Sequence, residues 1–447
     1  MKIHLIAIGG AVMHNMALAL KDQGHKVSGS DDEIFDPAKN RLKKAGLLPI
    51  KMGWDENNIS TDLDFVILGM HARKDNPELL KAQHLGLKIE SFPGFAYQQT
   101  KDKIRMVVAG SHGKTTTTAM IMHVFKILNM DYDYLVGSQV KGYERMVQFS
   151  NAPISIIEGD EYLSSPLDMK PKFLHYIPQL AMITGIAWDH INVFPTFEGY
   201  VQQFELFLKS MPIQASLIYN AEDKTLQALI DNYNNNNFLN LIPYHTLAYS
   251  NSKNGIDIFF DNQQYKMPWF GKHNVSNMSG AMQLCAQYKI STTAFISAMQ
   301  TFDGTAKRLE KMFDKDGLTI IRDFAHSPSK LKATVEAVKE QYPHQKVYAF
   351  FELHTFSSLQ ENFLPQYVDC MAAADESYVY LDNDVFLHKK LPLLSEAVIF
   401  KGFKSKVQLI PDLDALTIAL KLVIAKKGIV LLMSSGNFGG IQVNELL

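Results

Sequence analysis

The chain has 447 residues, of which 47% are hydrophobic and 20% charged, a composition typical of a globular protein of about three domains. The 44 basic and 46 acidic residues leave a net charge of −2, which argues against a histone-like nucleic-acid-binding protein and against an acidic tail. The two cysteines, Cys285 and Cys370, are too few for a disulfide scaffold or a thiolate metal cluster, and no apolar run approaches the roughly 20 residues of a membrane span. We therefore expect a cytoplasmic protein without nucleic-acid or membrane partners, either a monomer or a weak homodimer.

The first hundred residues alternate strand-like and helix-like segments. Continuous apolar runs are typical of parallel strands buried on both faces, and helical spacing follows the first of them. This alternation predicts an α/β fold that begins with a Rossmann-like parallel sheet. The predicted strands are 3–8, 26–29 and 65–68, and the predicted helix is 13–23.

Gly9 and Gly10 follow the first strand, and Asp31 comes about twenty residues later. This partly matches a dinucleotide-binding fingerprint, in which glycines let the backbone approach a pyrophosphate. The third glycine of that fingerprint is missing, which argues against an NAD site. Another nucleotide still fits the crevice at the strand ends.

A polar break at 100–103 precedes a new strand at 104–109, and a glycine-rich turn and a helix follow it. Glycines in such a turn let backbone N–H groups surround a phosphate, and the helix dipole favours negative charge there. Lys114 would reach the β- and γ-phosphates, and the Thr115 hydroxyl would bind Mg²⁺. Val108 stands where the strict P-loop pattern has its first glycine, so the match is to a shorter variant. A glycine-rich turn without nucleotide is the alternative. The predicted ATP-binding residues here are Gly110, Ser111, His112, Gly113, Lys114, Thr115 and Thr116.

Two further strand ends in this block carry chemically active side chains. Glu158 follows the strand at 154–157, where a carboxylate is well placed to hold Mg²⁺, although an isolated acidic turn is more often only solvated. His190 follows the strand at 181–185. It is predicted to be a second metal ligand or to contact a phosphoryl group, and a structural histidine is the alternative.

Downstream motifs are more ambiguous. Asn274 or Ser276 is predicted to cap a helix at 278–286, whereas Asn277 would read an adenine edge. Arg308 would clamp a γ-phosphate, or it lies in an exposed basic turn. Asp323 follows the strand at 318–322 and would accept hydrogen bonds from ribose hydroxyls. Ser327 and Pro328 form a helix-start signal.

The last block again alternates strands with helices, as a doubly wound sheet does. The run 232–237, rich in asparagine, is predicted to be a surface loop. We place the domain boundaries at 1–103, 104–312 and 313–447. The predicted strands of the last block are 318–322, 347–351, 377–381 and 428–433, and its helices are 329–341 and 413–425.

As a set, these motifs resemble those of the muramyl ligases, the ATP-dependent amide-forming enzymes of peptidoglycan synthesis, over essentially the whole chain. The resemblance implies three α/β domains in order: a Rossmann-like UDP-sugar domain, a P-loop ATPase domain and a Rossmann-like domain for the amino substrate. Among the branches of the family, the one that adds the tripeptide L-alanyl-γ-D-glutamyl-meso-diaminopimelate to UDP-N-acetylmuramate is more similar than the one that adds L-alanine. The supporting strings are 158–162 with 172–176, 323–326, and 433–441.

The resemblance also implies roles for individual residues. Lys114, His190 and Arg308 would be catalytic, and Asn277 and Asp323 would hold adenine and ribose. The implied cofactors are ATP and Mg²⁺, and the implied partners are small molecules: UDP-N-acetylmuramate, ATP and a peptide or amino acid. The metal ligands would be Thr115, Glu158 and His190, the UDP-sugar ligands Gly9, Gly10, Ser30, Asp31 and His71, and the amino-substrate ligands His326 and His354.

The chain departs from the family pattern at three places. His14 and Asn15 stand in a loop that is usually glycine-rich. The string 352–357 contains His354 but no arginine, whereas the tripeptide-adding branch has an arginine in a similar string. No lysine occurs between His190 and Lys209, so we do not predict the carbamylated lysine that some members use. An L-alanine ligase, an NAD-dependent oxidoreductase and a non-catalytic nucleotide-binding protein are the alternatives.

Overall fold

The computed structural model describes residues 1–233, 238–404 and 407–447, so positions 234–237 of the predicted asparagine-rich loop lie outside the described residues. The chain divides into two compact units. The first comprises Met1–Ile186, Thr196–His245 and Asn277–Met299, and the second comprises Ala187–Pro195, Thr246–Ser276 and Gln300–Leu447. Within the described part of the chain, no helix has the length and apolar character needed to cross a membrane.

The first unit begins with a four-stranded parallel sheet in the order β2-β1-β3-β4. The predicted alternation of strands and helices is confirmed. Strand β1 is shorter than predicted because Ala7 adopts a positive φ of 68° and turns the chain out of the sheet. The elements are β1 (Lys2–Ile6), α1 (Ala11–Asp22), β2 (Lys26–Ser30), α2 (Ala38–Lys44), β3 (Phe65–Leu68), α3 (Pro77–His84), β4 (Ile89–Ser91) and α4 (Phe92–Thr100).

The first unit also contains a seven-stranded sheet with the order β11-β10-β9-β5-β8-β6-β7, in which the edge strand β7 is antiparallel and the other strands are parallel. Its central strand β5 pairs with β8 on one side and with β9 on the other, so the carboxyl ends of these three strands lie side by side. The elements are β5 (Ile104–Ala109), α5 (Lys114–Ile127), β6 (Asp133–Leu135), β7 (Val147–Gln148), β8 (Ile154–Glu158), β9 (Leu180–Ile183), α6 (Phe197–Ser210), β10 (Ser216–Asn220), α7 (Lys224–Asn232) and β11 (Asn240–Tyr244).

The sequence did not predict a small antiparallel sheet formed by β12 (Ala248–Ser252), β13 (Gly255–Phe260) and β14 (Gln263–Met267). Two helices follow it, α8 (Lys272–Gln287) and α9 (Thr292–Met299). The prediction that Asn274 or Ser276 caps this helix is wrong, because α8 begins directly after Gly271, which has a φ of 98°. Asn274 lies inside the helix, and its side-chain amide donates to the Phe270 carbonyl at 2.8 Å.

The second unit contains a six-stranded sheet in the order β15-β16-β20-β17-β18-β19, parallel except for β15. The four predicted strands and two predicted helices are confirmed to within one residue at each end. Ser327 occupies the N-cap position of α10, as predicted, but its hydroxyl makes no capping bond. The elements are β15 (Glu310–Lys315), β16 (Leu318–Asp323), α10 (Pro328–Gln341), β17 (Val347–Glu352), β18 (Glu376–Tyr380), α11 (Asn383–Lys389), α12 (Glu396–Phe403), β19 (Val407–Ile410), α13 (Leu413–Lys426) and β20 (Gly428–Met433).

Candidate active site

The turn between β5 and α5 is built so that only glycine fits at two of its positions. Gly110 has a φ of 121°, and a Cβ there would lie 2.1 Å from the Thr184 hydroxyl oxygen. Gly113 has a φ of 76°, and its Cβ would lie 2.2 Å from the Asn277 side-chain oxygen. The structure therefore brings Asn277 against the predicted phosphate loop, although the two lie more than 160 residues apart in sequence.

The start of α5 offers a site for negative charge. Its N-cap is Gly113, no side chain caps the helix, and no acidic residue lies in the first turn. The amides of this first turn and the helix dipole therefore favour an anion. Next to it, the Ser111 amide donates to the Gly185 carbonyl at 3.0 Å, and the hydroxyls of Ser111 and Tyr200 lie 2.7 Å apart.

Lys114 is held between two acceptors at the loop. Its Nζ donates to the Gly110 carbonyl at 2.7 Å and to Glu161 at 2.6 Å. Burial disfavours the ammonium, but Glu161, Asp160 and Glu158 outweigh it and raise the pKa of Lys114. Glu161 itself is fully buried and accepts from the Tyr200 hydroxyl at 3.0 Å. Glu161 belongs to the acidic string that begins at Glu158, but it was not among the predicted site residues.

Thr115 and Glu158 meet where α5 begins and β8 ends. The Thr115 hydroxyl donates to Glu158 Oε1 at 2.6 Å, and the Gly137 amide donates to Oε2 at 2.8 Å. A hydroxyl and a carboxylate are oxygen ligands of the kind that Mg²⁺ prefers. The pair therefore fits a magnesium ion beside the phosphate loop.

His190 belongs to the second unit, together with Asp189 and Lys330. It adopts a φ of 56°, and its amide donates to Asp189 Oδ1 at 2.8 Å. The ammonium of Lys330 lies 3.3 Å from Asp189 Oδ2. These contacts hold the backbone conformation of His190, the predicted metal ligand.

The predicted nucleotide residues of the second unit form a local network around Asp323. Its carboxylate accepts the amides of Leu309 and Ala325, both at 2.7 Å. The guanidinium of Arg308 lies over the Phe324 ring, 5.0 Å from the ring centre. Asp323 thus helps to position Arg308. This structural role was not part of the prediction, which gave Asp323 only a contact with ribose.

His326, a predicted amino-substrate ligand, is held by its own turn. Its Nδ1 lies 2.8 Å from the Phe324 carbonyl oxygen, and Tyr367 donates to the His326 carbonyl at 2.6 Å. Burial and, to a lesser extent, Lys330 lower the pKa of His326 to about 3. The imidazole is therefore neutral at physiological pH.

The predicted UDP-sugar residues sit at the carboxyl ends of the first sheet. The Gly9 amide donates to Asp31 at 2.7 Å, and a Cβ at Gly9 would lie 2.9 Å from the same oxygen. The Ser30 hydroxyl donates to Glu78, which is fully buried. Glu78 was not predicted from the sequence because it lies in helix α3, away from any motif. His71 is exposed at the end of the neighbouring strand.

His14 and Asn15, which were expected in a loop, lie instead near the start of helix α1 and are buried there. His14 Nδ1 lies 2.8 Å from the Gly10 carbonyl oxygen, and Asn15 donates to His14 Nε2 at 3.0 Å. Burial, opposed by the bond to Gly10 and reinforced by Arg41, lowers the pKa of His14. A neutral ring that donates from Nδ1 and accepts at Nε2 fits both contacts.

The shifted pKa of Asp31 predicts that the stability of the protein depends on pH. Burial raises its pKa from 3.8 to about 6, so the native state holds this proton more tightly than the unfolded chain does. The charged form costs stability as pH rises from about 3.8 to about 6. Asp31→Asn keeps an acceptor for Gly9, and its melting temperature relative to the wild type should rise over this range and then stay level. A difference that is constant with pH would contradict this.

His354 lies at the carboxyl edge of the last sheet, next to Glu352. The distance from His354 Nδ1 to Glu352 Oε1 is 3.8 Å. Burial, and to a lesser degree Lys389, lowers the pKa of His354, while Glu352 and Asp382 oppose the shift. The other Glu352 oxygen accepts from the Ser434 hydroxyl and from the Phe438 amide, the latter at 3.0 Å. The predicted string at 433–441 therefore folds back onto β17.

Three family models match successive parts of the chain. They are described as Mur ligase family, catalytic domain (residues 2–103), Mur ligase middle domain (108–285) and Mur ligase, glutamate ligase domain (307–436). A UDP-N-acetylmuramate–L-alanine ligase from Clostridium acetobutylicum is 31% identical over 421 residues, which cover 90% of this chain and 89% of that protein.

Two solved structures share the fold. A murein peptide ligase from Psychrobacter arcticus has a TM-score of 0.69 and 22% identity, covering 100% of this chain and 98% of its own. A UDP-N-acetylmuramate–alanine ligase from Thermotoga maritima has a TM-score of 0.74 and 24% identity, covering 98% and 96%. The similarity in fold therefore spans essentially the whole chain.

Proposed function

Because the chain belongs to the Mur ligase family of ATP-dependent amide-bond ligases, we propose that it joins the carboxylate of UDP-N-acetylmuramate to the amine of L-alanyl-γ-D-glutamyl-meso-diaminopimelate. The observation that carries the proposal is the glycine turn with Lys114, Thr115 and Glu158 gathered around the start of α5. It supports a triphosphate site in which a carboxylate is activated.

The chemistry explains why such a site is needed. A carboxylate is a poor electrophile, and its oxygen is a poor leaving group. Phosphorylation by ATP gives an acyl phosphate, which the amine attacks through a tetrahedral oxyanion before phosphate leaves. In this proposal Lys114 and Arg308 stabilise charge on the transferred phosphoryl group, and Asn277 and Asp323 hold adenosine.

The metal and sugar roles are proposed in the same way. Thr115 and Glu158 hold Mg²⁺, which neutralises phosphate charge when bound, and His190 is a ligand of a second metal ion. The acid substrate is bound along the ends of the first sheet, by Gly9, Gly10, Ser30, Asp31 and His71. The amino substrate is bound by His326 and His354.

A ligase that adds L-alanine alone is the second candidate, and the name of the 31% identical relative favours it. Both candidates use the same reacting group, because the tripeptide also begins with L-alanine. They differ in whether the enzyme gains binding energy from the rest of the peptide.

A panel of amines tests the proposal. Phosphate release should require ATP, Mg²⁺ and UDP-N-acetylmuramate together with an amine. The kcat/KM for the tripeptide should exceed that for L-alanine by about tenfold or more, roughly 1.4 kcal/mol of extra transition-state binding. Equal or better turnover of L-alanine would favour the second candidate, and no amine-dependent phosphate release would reject both.

A further inference from the structure

His354 and Glu352 form an imidazole–carboxylate pair at the carboxyl edge of the last sheet. Strand β17 ends at Glu352 between β20 and β18, and Glu352 is 1% exposed. Its Oε2 accepts from Ser434 and Phe438, so the carboxylate is held in one orientation. Its Oε1 faces His354 Nδ1 across 3.8 Å, a distance that a small rotation of the imidazole would bring within hydrogen-bonding range.

The imidazole of His354 is partly exposed, so a ligand can reach it from the solvent. Its Nδ1 is buried and makes no hydrogen bond, while the side chain as a whole is 33% exposed. A Cβ at Gly436 would lie 2.8 Å from both His354 Nδ1 and Glu352 Oε2. Glycine at this position therefore keeps open the space in which the two groups meet.

Resting on the proposed function, we propose that His354 is the general base that removes a proton from the ammonium of the amino substrate, with Glu352 as the residue that positions it. An ammonium has no lone pair and cannot attack an acyl phosphate. Neutral His354 takes one proton and becomes imidazolium, and the free amine results. Once the imidazole rotates into hydrogen-bonding range, Glu352 accepts from Nδ1, orients the ring and stabilises that imidazolium.

The remaining bonds balance without another reactant. The amine lone pair forms the C–N bond at the acyl carbon, and the C–O bond to phosphate breaks with its electrons on the departing oxygen. The second proton of the nitrogen leaves with the phosphate. His354 returns its proton to solvent before the next turnover.

The charges around His354 suit this role better than those around His326. Desolvation, and to a smaller degree Lys389, keeps His354 neutral, whereas Glu352 and Asp382 favour its protonated form. His326 has a pKa of about 3 and is bound at Nδ1 by its own turn. Such a weak base would be a poor proton acceptor for the ammonium at neutral pH.

The test separates amine deprotonation from carboxylate activation. Activation is followed without amine, by the scrambling of ¹⁸O between the β,γ-bridge and β-nonbridge positions of ATP in the presence of UDP-N-acetylmuramate. Ligation is followed as amine-dependent phosphate release from pH 6 to pH 10. The variants are His354→Gln, Glu352→Gln, which keeps an acceptor for Ser434 and Phe438, and His344→Gln, an exposed histidine of the same unit, as the control.

His354→Gln should leave the scrambling unchanged and lower ligation about 10²-fold at pH 7. The loss should shrink as pH approaches the pKa of the amine itself, about 8 for a peptide α-amine. Glu352→Gln should shift the acidic limb of the ligation profile to lower pH, because the carboxylate raises the pKa of His354. His344→Gln should match the wild type.

An equal loss of ligation at every pH, or a parallel loss of scrambling, would overturn the assignment of His354. Full ligation activity in His354→Gln would overturn it as well. The proposed function fails separately, if the wild type itself shows neither scrambling nor amine-dependent phosphate release.

Discussion

Replacing Lys114 with methionine is expected to lower ADP release by about 10²–10³-fold or more while leaving the affinity for UDP-N-acetylmuramate unchanged. The ammonium is the cation proposed to meet the γ-phosphate, whereas the acid substrate is proposed to bind at the first sheet. ADP release with both substrates present and direct titration of UDP-N-acetylmuramate measure the two effects.

Because Lys114 forms an ion pair with Glu161, the experiment needs a control for the loss of that pair. The single variant removes the ammonium that pairs with the fully buried Glu161, and breaking a buried pair costs about 3–5 kcal/mol. Lys114→Met combined with Glu161→Gln removes both charges, so its melting temperature should return toward the wild type while ADP release stays as low as in the single variant. Wild-type ADP release by this folded double variant would remove Lys114 from the proposed reaction.

Gly110→Ala is expected to weaken nucleotide binding by tenfold or more, about 1.4 kcal/mol. At a φ of 121° a side chain is strained, and the new Cβ would also lie 2.9 Å from the Thr184 amide nitrogen, which no rotamer change can move. The turn must therefore shift, and its amides would no longer converge on a phosphate. Titration with a fluorescent ADP analogue in the presence of Mg²⁺ measures the loss.

Gly142→Ala is the matched control. Gly142 also has a positive φ, 80°, but the nearest atom that its Cβ would meet, Lys126 Nζ, is 4.0 Å away. This variant carries the conformational cost without the steric clash, so it should be slightly less stable and bind nucleotide normally. Equal binding by the two alanine variants would show that the packing of Gly110 against Thr184 is not needed for the site.

Sequence reasoning was most successful at buried parallel strands. Their apolar runs, such as Ile104–Ala109 and Phe65–Leu68, end at glycines, so both the element and its end are visible in the sequence. The sheet at 248–267 was missed because its outer strands β12 and β14 are polar and partly exposed and show no apolar run, and only the central strand β13 is largely apolar. Helix α8 was predicted to start too late because Asn274 and Ser276 are also good capping residues.

The candidate site was predicted in part for a similar reason. Residues that follow strand ends, including Lys114 and Glu158, share one edge of a sheet by topology alone. The ion pair of Lys114 with Glu161 and the contact of Asn277 with Gly113 depend on side-chain packing across long stretches of chain. Local patterns carry no information about such partners.

The division of the chain bears on how it can be cut. The backbone passes from one compact unit to the other after residues 186, 195, 245, 276 and 299. A polypeptide ended at the predicted boundary of residue 312 would therefore keep 187–195 and 246–276 but lose most of the unit to which they belong. A fragment cut at that boundary lacks part of the core of its unit. We therefore expect the central and last domains to tolerate insertions at exposed loops better than separation into independent fragments.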